Sequence, residues 1–297
     1  MYHIPALLHE TIEGLNIKPN GVYVDATFGG GGHARAILDK LDKDGSLYAF
    51  DHDMDVRQNL IEDDRFHFIP HNFRHIRKFL RLYKLNQVDG ILADLGISSH
   101  QINEGDRGFA TRFDATLDMR MNATAELTAF EVVNNYPQDK LADVIYYFGE
   151  LNNARKLASI IVEKRKEATI ETTAQLISVI EPWIKGKRSR YLAQLFQALR
   201  IEVNQELEAL KELLLQSKYL VKPTGRLAVI SWHSLEDRLV KNFVRSGNTE
   251  GTIVKDLFGK FETPFRPINK KVIIPTEKEV EENPRARSAK LRIAERL

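Results

Sequence analysis

The hydrophobic positions of the chain alternate between short β-rich runs and segments with helical periodicity. Five of the runs predict strands: 21–26, 46–51, 65–69, 88–95 and 225–231. Three helical patterns separate the first four runs: 33–43, 53–63 and 72–84. This alternation is typical of βαβ units and predicts a parallel sheet covered by helices on both faces. Two further strands, 270–275 and 288–295, are predicted as a closing hairpin.

The spacing of the predicted strands is interrupted once. About 130 residues separate the fourth strand from the fifth, whereas a βαβ unit takes about 30. Within this gap the apolar positions have helical periodicity, for example from Leu192 to Leu214. We therefore predict an inserted helical domain over 126–205, while 1–125 and 206–297 form the sheet domain. A turn at 222–225 returns the chain to the sheet.

Composition narrows the class of protein. Of the 297 residues, 43% are hydrophobic and 28% are charged, as in a globular protein. The chain has no cysteine, which excludes disulfides and thiolate zinc sites, and no metal site is predicted. A signal-peptide pattern is absent from the first residues, and no run reaches about 18 uncharged apolar residues. We therefore expect a cytoplasmic protein without a membrane partner.

Four consecutive glycines (29–32) lie between the first predicted strand and the first predicted helix. Glycines permit positive φ and close approach of a ligand, and the helix offers unpaired N–H groups. The pattern G-x-G-x-x-A, with Asp51 about 20 residues further on, fits a dinucleotide such as NAD. S-adenosylmethionine uses the same ribose contact, and Asp25 suits its cationic ammonium but would repel a pyrophosphate. The spacing favours the methyl donor and leaves NAD open.

Further candidate residues follow the fourth and fifth strands. Asp94 ends the fourth strand, beside the point where open parallel sheets bind ligands. Its carboxylate is placed to meet the cofactor or an amine that loses a proton, although a turn acid is an equal alternative. Trp232 and His233 follow the fifth strand and are placed to stack on or hydrogen-bond a base, but His233 is as readily a structural histidine. Ser234 and Asp237 fit a capping box that starts the next helix.

Five segments, in this order, resemble the bacterial ribosomal RNA small subunit methyltransferase H family. They are DATFGGGGH (25–33), ADLGISSHQ (93–101), RGFATRFDATLDMRMN (107–122), SWHSLEDRLVK (231–241) and NPRARSAKLRIAER (283–296). The resemblance extends over 3–296 and implies a Rossmann-like class I methyltransferase sheet with an inserted all-helical substrate-recognition domain. It implies an S-adenosylmethionine-dependent enzyme that methylates the exocyclic 4-amino group of a cytidine at the decoding centre of 16S ribosomal RNA.

The resemblance also implies which residues contact the methyl donor. These are Gly31, Gly32, His33, Asp51, Phe73, Asp94 and Gln101. Candidates for accepting a proton or orienting the amine are Asp94, Asp118 and His233. The sequence departs from the family pattern at Gly30, where arginine is frequent, within DATLDMRMN, and at Trp232, where phenylalanine is usual. The target atom follows from the resemblance, because the Asp94 segment lacks the prolines found in many amino-methylating enzymes.

Positive charge is concentrated in three runs, 74–84, 185–190 and 285–296, although the formal net charge is only +2. A single run is more often a solvated helix face, but three together favour an RNA footprint divided between the domains. The predicted RNA-binding residues are Arg188, Arg190, Trp232, Arg285 and Arg287. The implied partner is 16S RNA of the small subunit, and a homodimer is one option for the oligomeric state. Two alternatives stay open, an NAD-dependent oxidoreductase and a non-catalytic RNA-binding factor.

Overall fold

The computed structural model describes residues 5–98, 101, 105–253, 255, 258–259, 261 and 263–297. The chain divides into two compact units. One comprises Met1–Gly96 and Leu207–Leu297 and is called the sheet unit below; the other, Ile97–Glu206, is called the helical unit. Within the described ranges, no helix is both long enough and apolar enough to cross a membrane.

Seven described strands form the sheet of the sheet unit. They are β1 (Val22–Asp25), β2 (Ser46–Phe50), β3 (Phe66–Ile69), β4 (Val88–Asp94), β5 (Val221–Ser231), β6 (Phe265–Pro267) and β7 (Lys290–Arg296). Their order is β3-β2-β1-β4-β5-β7-β6. The strands from β3 to β5 in this order pair in parallel, whereas β7 pairs antiparallel with both β5 and β6. This confirms the predicted Rossmann-like class I methyltransferase sheet, in which the strand order reverses between β1 and β4.

The described α-helices either alternate with these strands or fill the helical unit. They are α1 (Leu8–Leu15), α2 (Gly32–Leu38), α3 (Ile76–Leu82), α4 (Ala129–Asn135), α5 (Gln138–Gly149), α6 (Ala154–Glu167), α7 (Thr173–Ile180), α8 (Arg188–Asn204), α9 (Glu206–Leu220), α10 (Ser234–Ser246) and α11 (Glu277–Glu282). Gln205 separates α8 from α9 with a φ of 51°. The apolar periodicity that runs from Leu192 to Leu214 in the sequence therefore belongs to two consecutive helices.

The central strands are apolar at nearly every position because both faces of the sheet are buried. Along β1, Val24 joins one hydrophobic cluster and Tyr23 joins another. Along β4, Ile91 and Leu92 divide between the same two clusters. Side chains alternate between the faces of a strand, so such a continuous apolar run marks a strand covered on both sides. This explains why these strands were recognisable in the sequence.

Of the predicted closing hairpin, the second strand is confirmed by β7, and the first strand is wrong. The segment 270–275 forms no strand; Ile273 makes an isolated bridge to Leu291, and β7 pairs instead with β6. Burial explains the difference, because Phe265 of β6 is fully buried while Ile274 is 61% exposed. In the apolar run 272–274, Val272 and Ile273 are half-buried, Ile273 packs against the core, and Ile274 is exposed.

Two other local predictions differ from the structure. The turn predicted at 222–225 lies inside β5, where Thr224 has a φ of 65° and the pairing with β4 shifts register between Val88 and Gly90. The helix predicted at 53–63 is a 3-10 helix, Met54–Asn59, capped by the Asp53 side chain. The turn signal at 222–225 therefore marks an irregularity within a strand, and the helical pattern at 53–63 forms a shorter and tighter helix.

The helical unit has its own core, and it contains more of the chain than the predicted insertion. Its hydrophobic cluster includes Leu192 and Leu195 of α8. It also includes Leu117, Met119 and Met121 from the loop that precedes α4. The sequence placed the start of the inserted domain at 126, whereas the compact unit starts at Ile97, and this loop is the reason.

Candidate active site

Three carboxylates lie at one edge of the parallel strands. Asp25 is the last residue of β1, Asp94 is the last residue of β4, and Asp51 directly follows β2. Because β1 pairs in parallel with both β2 and β4, the carboxyl ends of all three strands meet at the same edge. The reversal of strand order occurs there, which is where open α/β sheets bind their ligands.

Asp25 is buried, with 1% of its surface exposed. Its Oδ1 accepts a hydrogen bond from the backbone N–H of Thr27 at 3.0 Å. Its Oδ2 is buried and has no hydrogen-bond partner among the described residues. Burial raises the pKa of Asp25 to about 7, and the nearby charge of Asp51 acts in the same direction while the Thr27 hydrogen bond opposes it. A buried carboxylate oxygen without a partner suits a ligand that brings a donor or a cation.

The side chain of Asp51 holds the glycine loop by accepting a hydrogen bond from the loop backbone. Its Oδ2 accepts from Gly29 N at 2.9 Å, and its Oδ1 accepts from Asp53 N at 2.9 Å. Burial raises the pKa of Asp51, although these two hydrogen bonds favour its ionised form. Each oxygen retains a second lone pair for a further donor. The carboxylate is thus fixed in place and can accept hydrogen bonds from a ligand.

The glycines between β1 and α2 are required for two different reasons. Gly31 has a φ of 73°, and a Cβ there would lie 2.7 Å from a terminal nitrogen of Arg35. A Cβ on Gly32 would lie 2.4 Å from the ring of Pro5. At Gly30, by contrast, a Cβ would meet nothing within 4 Å, so the loop faces open space there. The arginine that is frequent in the resembled family would fit at this position.

Asp94 is held on three sides by residues of the sheet unit. Its backbone N–H donates to Thr27 Oγ1 at 2.7 Å, and its Oδ1 accepts from the indole Nε1–H of Trp232 at 3.1 Å. Its Oδ2 lies 3.6 Å from Nδ1 of His33, whose side chain is 6% exposed at the start of α2. Burial raises the pKa of Asp94 to about 8, the Trp232 hydrogen bond opposes this, and the charges of Asp25 and Glu236 add to it.

His233 caps α10, and this corrects the predicted capping box. Glu236 Oε2 accepts from the backbone N–H groups of Trp232 at 2.8 Å and His233 at 3.4 Å. Ser234 is therefore the first helical residue, and Asp237 instead accepts two hydrogen bonds from Arg292, at 2.7 and 3.2 Å. Nε2 of His233 lies 3.3 Å from Glu236 Oε1, and the ring is 8% exposed. Neither ring nitrogen of His233 has a hydrogen-bond partner among the described residues, so both interpretations of this histidine stay open.

The remaining predicted contacts of the methyl donor lie in different places. Phe73 begins a 3-10 helix after β3, is half-buried, and packs against the sheet core. Gln101 belongs to the helical unit, where it is buried. Its Oε1 accepts from Ser98 N at 3.0 Å, and its own N–H donates to Ser98 Oγ at 3.2 Å. The structure thus gathers the glycine loop, His33, Asp51 and Asp94 in one unit, with Gln101 in the other.

Asp118, the third candidate proton acceptor, is engaged by an arginine of its own loop. Arg120 donates to its two carboxylate oxygens from Nε at 2.8 Å and from a terminal nitrogen at 2.9 Å. Burial would raise the pKa of Asp118, but the hydrogen bonds from Arg120 and the charge of Arg107 outweigh it, so this pKa is lowered. A carboxylate with a lowered pKa is a weak base. Asp118 is therefore better suited to hold its loop through Arg120 than to accept a proton.

The predicted RNA-binding arginines differ in their surroundings. Arg188 forms a two-point ion pair with Glu181, with hydrogen bonds of 2.7 and 3.0 Å. Arg190 and Arg287 are exposed, and neither side chain has an ion-pair partner among the described residues. Arg285 is half-buried in the 3-10 helix Pro284–Ser288. Arg188 is therefore an intramolecular ion-pair partner, and this pairing competes with RNA contact.

Sequence reasoning missed two residues that organise this edge. Thr27 connects Asp25 to Asp94. Its backbone N–H donates to Asp25 Oδ1, and its hydroxyl oxygen accepts from the backbone N–H of Asp94. Glu236 fixes the end of β5 by accepting from two backbone N–H groups. An aspartate commonly accepts a hydrogen bond from the backbone N–H two residues later, so the Asp25-x-Thr27 spacing indicates the contact between these two residues. Glu236 lies two residues after Ser234, whereas a capping box that starts at Ser234 places its acid three residues later, at Asp237.

Comparisons with known proteins give the family. The profile of the MraW methylase family matches residues 1–297. The ribosomal RNA small subunit methyltransferase H of Parabacteroides distasonis is 55% identical over 298 residues, which cover 100% of this chain and 98% of that protein. The proteins of the same name from Christiangramia forsetii and Bacteroides fragilis are 54% and 53% identical, covering 100% and 99% of this chain and 98% and 97% of theirs. The chain therefore belongs to the MraW methylase family.

Proposed function

We propose that this protein transfers a methyl group from S-adenosylmethionine to the exocyclic 4-amino group of a cytidine in 16S ribosomal RNA. One observation supports this most directly: the buried, unpartnered Oδ2 of Asp25 stands at the glycine loop in a chain of a methylase family. The relatives with more than half of their residues identical carry the name of a small-subunit ribosomal RNA methyltransferase. The enzyme acts in the bacterial cytoplasm, on the RNA of the small subunit.

The residues at the sheet edge fit S-adenosylmethionine better than NAD. Oδ2 of Asp25 needs a donor, and the cationic ammonium of the methyl donor supplies one. Asp51 accepts hydrogen bonds from the ribose hydroxyls, while the backbone at Gly31 and Gly32 permits close approach. A pyrophosphate would repel the ionised forms of Asp25 and Asp94, whose pKa values burial already raises, whereas a cation stabilises these ionised forms. His33, Phe73 and Gln101 complete the proposed set of contacts.

The bound sulfonium supplies an electrophilic methyl group, and the protein has to aim the amine at it. Asp94 is the residue best placed for this. Trp232 donates to its Oδ1, while its Oδ2, which lies 3.6 Å from His33 Nδ1, can accept a hydrogen bond from the amine and take the proton that the amine loses on methylation. Asp118 is less suited because Arg120 binds both of its carboxylate oxygens, and His233 is less suited because its ring is buried beside Glu236.

The proposed RNA contacts involve both units. Arg190 in the helical unit and Arg287 in the sheet unit are exposed cations, suited to phosphate contact. Arg285 and the ring of Trp232 complete the proposed contacts, whereas Arg188 contributes only if its pair with Glu181 opens. Homodimer formation is a proposal that the oligomeric state in solution tests.

The deciding experiment is radiolabelled methyl transfer to small-subunit particles and to protein-free 16S RNA, followed by identification of the modified nucleoside. We expect 4-amino-methylated cytidine and loss of transfer by about 100-fold or more in Asp94→Asn. Asp44→Asn, which makes the same change at an exposed acid, serves as the matched control. Binding of NAD in preference to S-adenosylmethionine, or RNA binding without any transfer, would instead support one of the two alternatives.

A further inference from the structure

A cavity of about 300 Å³ opens in the sheet unit beyond the end of β5. It lies between the start of α10 and the segment that leads into β7. Trp232 and Ser234 line it on one side, and Arg287 and Lys290 line it on the other. Ile274, which is 61% exposed, adds an apolar wall. None of the residues assigned above to the methyl donor lines this cavity.

The charges around the cavity favour an anion. Arg287 is exposed and has no ion-pair or hydrogen-bond partner among the described residues. Lys290 Nζ lies 3.9 Å from Asp237 Oδ2, but the closer partner of that carboxylate is Arg292, at 2.7 Å. The nearby carboxylate of Glu236 is turned to backbone N–H groups at the start of α10. The positive charge of Arg287 and Lys290 is therefore not fully neutralised by carboxylates at this wall of the cavity.

Trp232 separates this cavity from Asp94. Its ring lines the cavity, and its Nε1–H donates to Asp94 Oδ1. The ring is confined on one side by Gly96, where a Cβ would lie 3.0 Å from Trp232 Cδ1 and where φ is 89°. The cavity is thus one side chain away from the carboxylate proposed to orient the target amine.

We propose that the cavity holds the ribonucleotide adjacent to the methylated cytidine, with its phosphate on Arg287 and Lys290 and its sugar or base against Ile274 and Trp232. Cations beside an aromatic and an aliphatic surface form the usual surroundings of a single-stranded nucleotide. The cavity volume is at the lower end of small-ligand sites, which suits one nucleotide and excludes a duplex. This inference rests on the proposed function and specifies how the strand is held next to the target.

The two tryptophans of the chain make a direct test possible. Trp183→Phe leaves Trp232 as the only tryptophan and keeps a ring next to Lys156, whose Nζ lies 4.5 Å from the Trp183 ring centroid. The probe is a short single-stranded oligoribonucleotide centred on a cytidine. We expect a saturable change in Trp232 emission, and a much smaller one with inorganic phosphate at matched ionic strength.

The charge requirement is tested in the same single-tryptophan protein with Arg287→Ala. We expect about tenfold weaker oligoribonucleotide binding and a salt dependence reduced by about one ion, with unchanged affinity for S-adenosylmethionine. Lys278→Ala is the matched control, because Lys278 is an exposed cation on α11 that does not line the cavity. We expect it to bind the probe nearly as tightly as the parent.

Three results would overturn the inference: equal weakening in both variants, saturation of the emission change by phosphate alone, or RNA binding without any change in Trp232 emission. Methyl transfer to small-subunit particles by the Trp183→Phe protein separates this inference from the proposed function. If transfer persists while the emission does not respond, the strand passes elsewhere and the proposed function stands. If no transfer occurs at all, the proposed function fails first.

Discussion

Asp25 illustrates how one residue makes stability depend on pH. Its pKa of about 7 in the folded chain exceeds the usual value of about 3.9 in an unfolded chain. The folded state therefore binds more protons between these pH values, and stability falls as pH rises through this range. Above pH 7 the ionised, buried carboxylate destabilises the fold, and an amide of the same shape would not.

We therefore expect Asp25→Asn to unfold at higher urea concentration than the parent at pH 8 and at nearly the same concentration at pH 4. The gain at pH 8 is at most about 4 kcal/mol, since each unit of pKa shift corresponds to about 1.4 kcal/mol. Urea unfolding without cofactor measures it, and Asp44→Asn is the exposed control. An equal effect at both pH values would contradict the titration argument. We also expect the variant to bind S-adenosylmethionine more weakly.

Trp232 adjusts the protonation of Asp94 by donating a hydrogen bond to its ionised form. The indole N–H lowers the pKa of Asp94, which burial raises to about 8. Trp232→Phe removes the donor, so the pKa should rise further. If Asp94 accepts the proton, methyl transfer increases with pH as the carboxylate ionises, and the variant needs a higher pH. A pH profile at saturating cofactor measures this shift; Trp183→Phe should leave the profile in place.

Asp51 has a double role in the proposed cofactor site, because it also anchors the glycine loop through Gly29. We expect Asp51→Ala to weaken S-adenosylmethionine binding by about 1.5 to 3 kcal/mol through loss of charge-assisted hydrogen bonds. Asp51→Asn retains acceptor capacity and should lose less. Isothermal titration calorimetry gives both affinities, and parental affinity in the alanine variant would remove Asp51 from the site.

At the level of elements, burial decides which sequence patterns could be recognised. The strands β1 to β4 are apolar on both faces, so their runs stood out in the sequence. The three residues of β6 include an arginine and a proline and gave no such signal, whereas the partly exposed apolar run at 272–274 gave a false one. Apolar content predicts a strand only where the core reaches it.

The candidate site was predictable for the residues fixed by their position in a motif. The glycine loop, Asp25, Asp51 and Asp94 all follow from the strand ends of a parallel sheet. The hydrogen bond from Trp232 to Asp94 was not predictable, because it joins the ends of two strands far apart in the sequence. The Asp118–Arg120 ion pair was not predictable either. The charged residues of this loop suggested a catalytic role, but the structure shows that they bind each other.

The connection before α8 should be the first site of limited proteolysis in the helical unit. The residues 185–190 are exposed, and Gly186 has a φ of 76°. The segment 166–171 is also mostly exposed but is held more firmly, because Ile170 is buried and Thr172, which follows the segment, caps α7. Brief trypsin treatment and mass mapping should find the first cut at 185–190, where lysines and arginines are present. A first cut within 21–101 would contradict this order of local stability.

For the whole molecule, the salt dependence of RNA binding distinguishes phosphate contacts from internal ion pairs. Each lost phosphate contact should lower the dependence of log affinity on log salt by about one. We expect this for Arg190→Ala, which is free in the described structure, and not for Arg188→Ala, which is paired with Glu181. Filter binding of small-subunit RNA over a salt series measures both slopes. Equal slopes in the two variants and the parent would place the contacts of the helical unit elsewhere.

The position of β7 between β5 and β6 has a consequence for synthesis of the protein. Translation proceeds from the N-terminus, so the strands that carry Asp25, Asp51 and Asp94 leave the ribosome long before residues 290–296. Until those last codons are read, β5 has an unpaired edge of the kind that recruits other chains. A nonsense codon only a few positions before residue 290 would therefore release a chain with all three carboxylates and an open, aggregation-prone sheet.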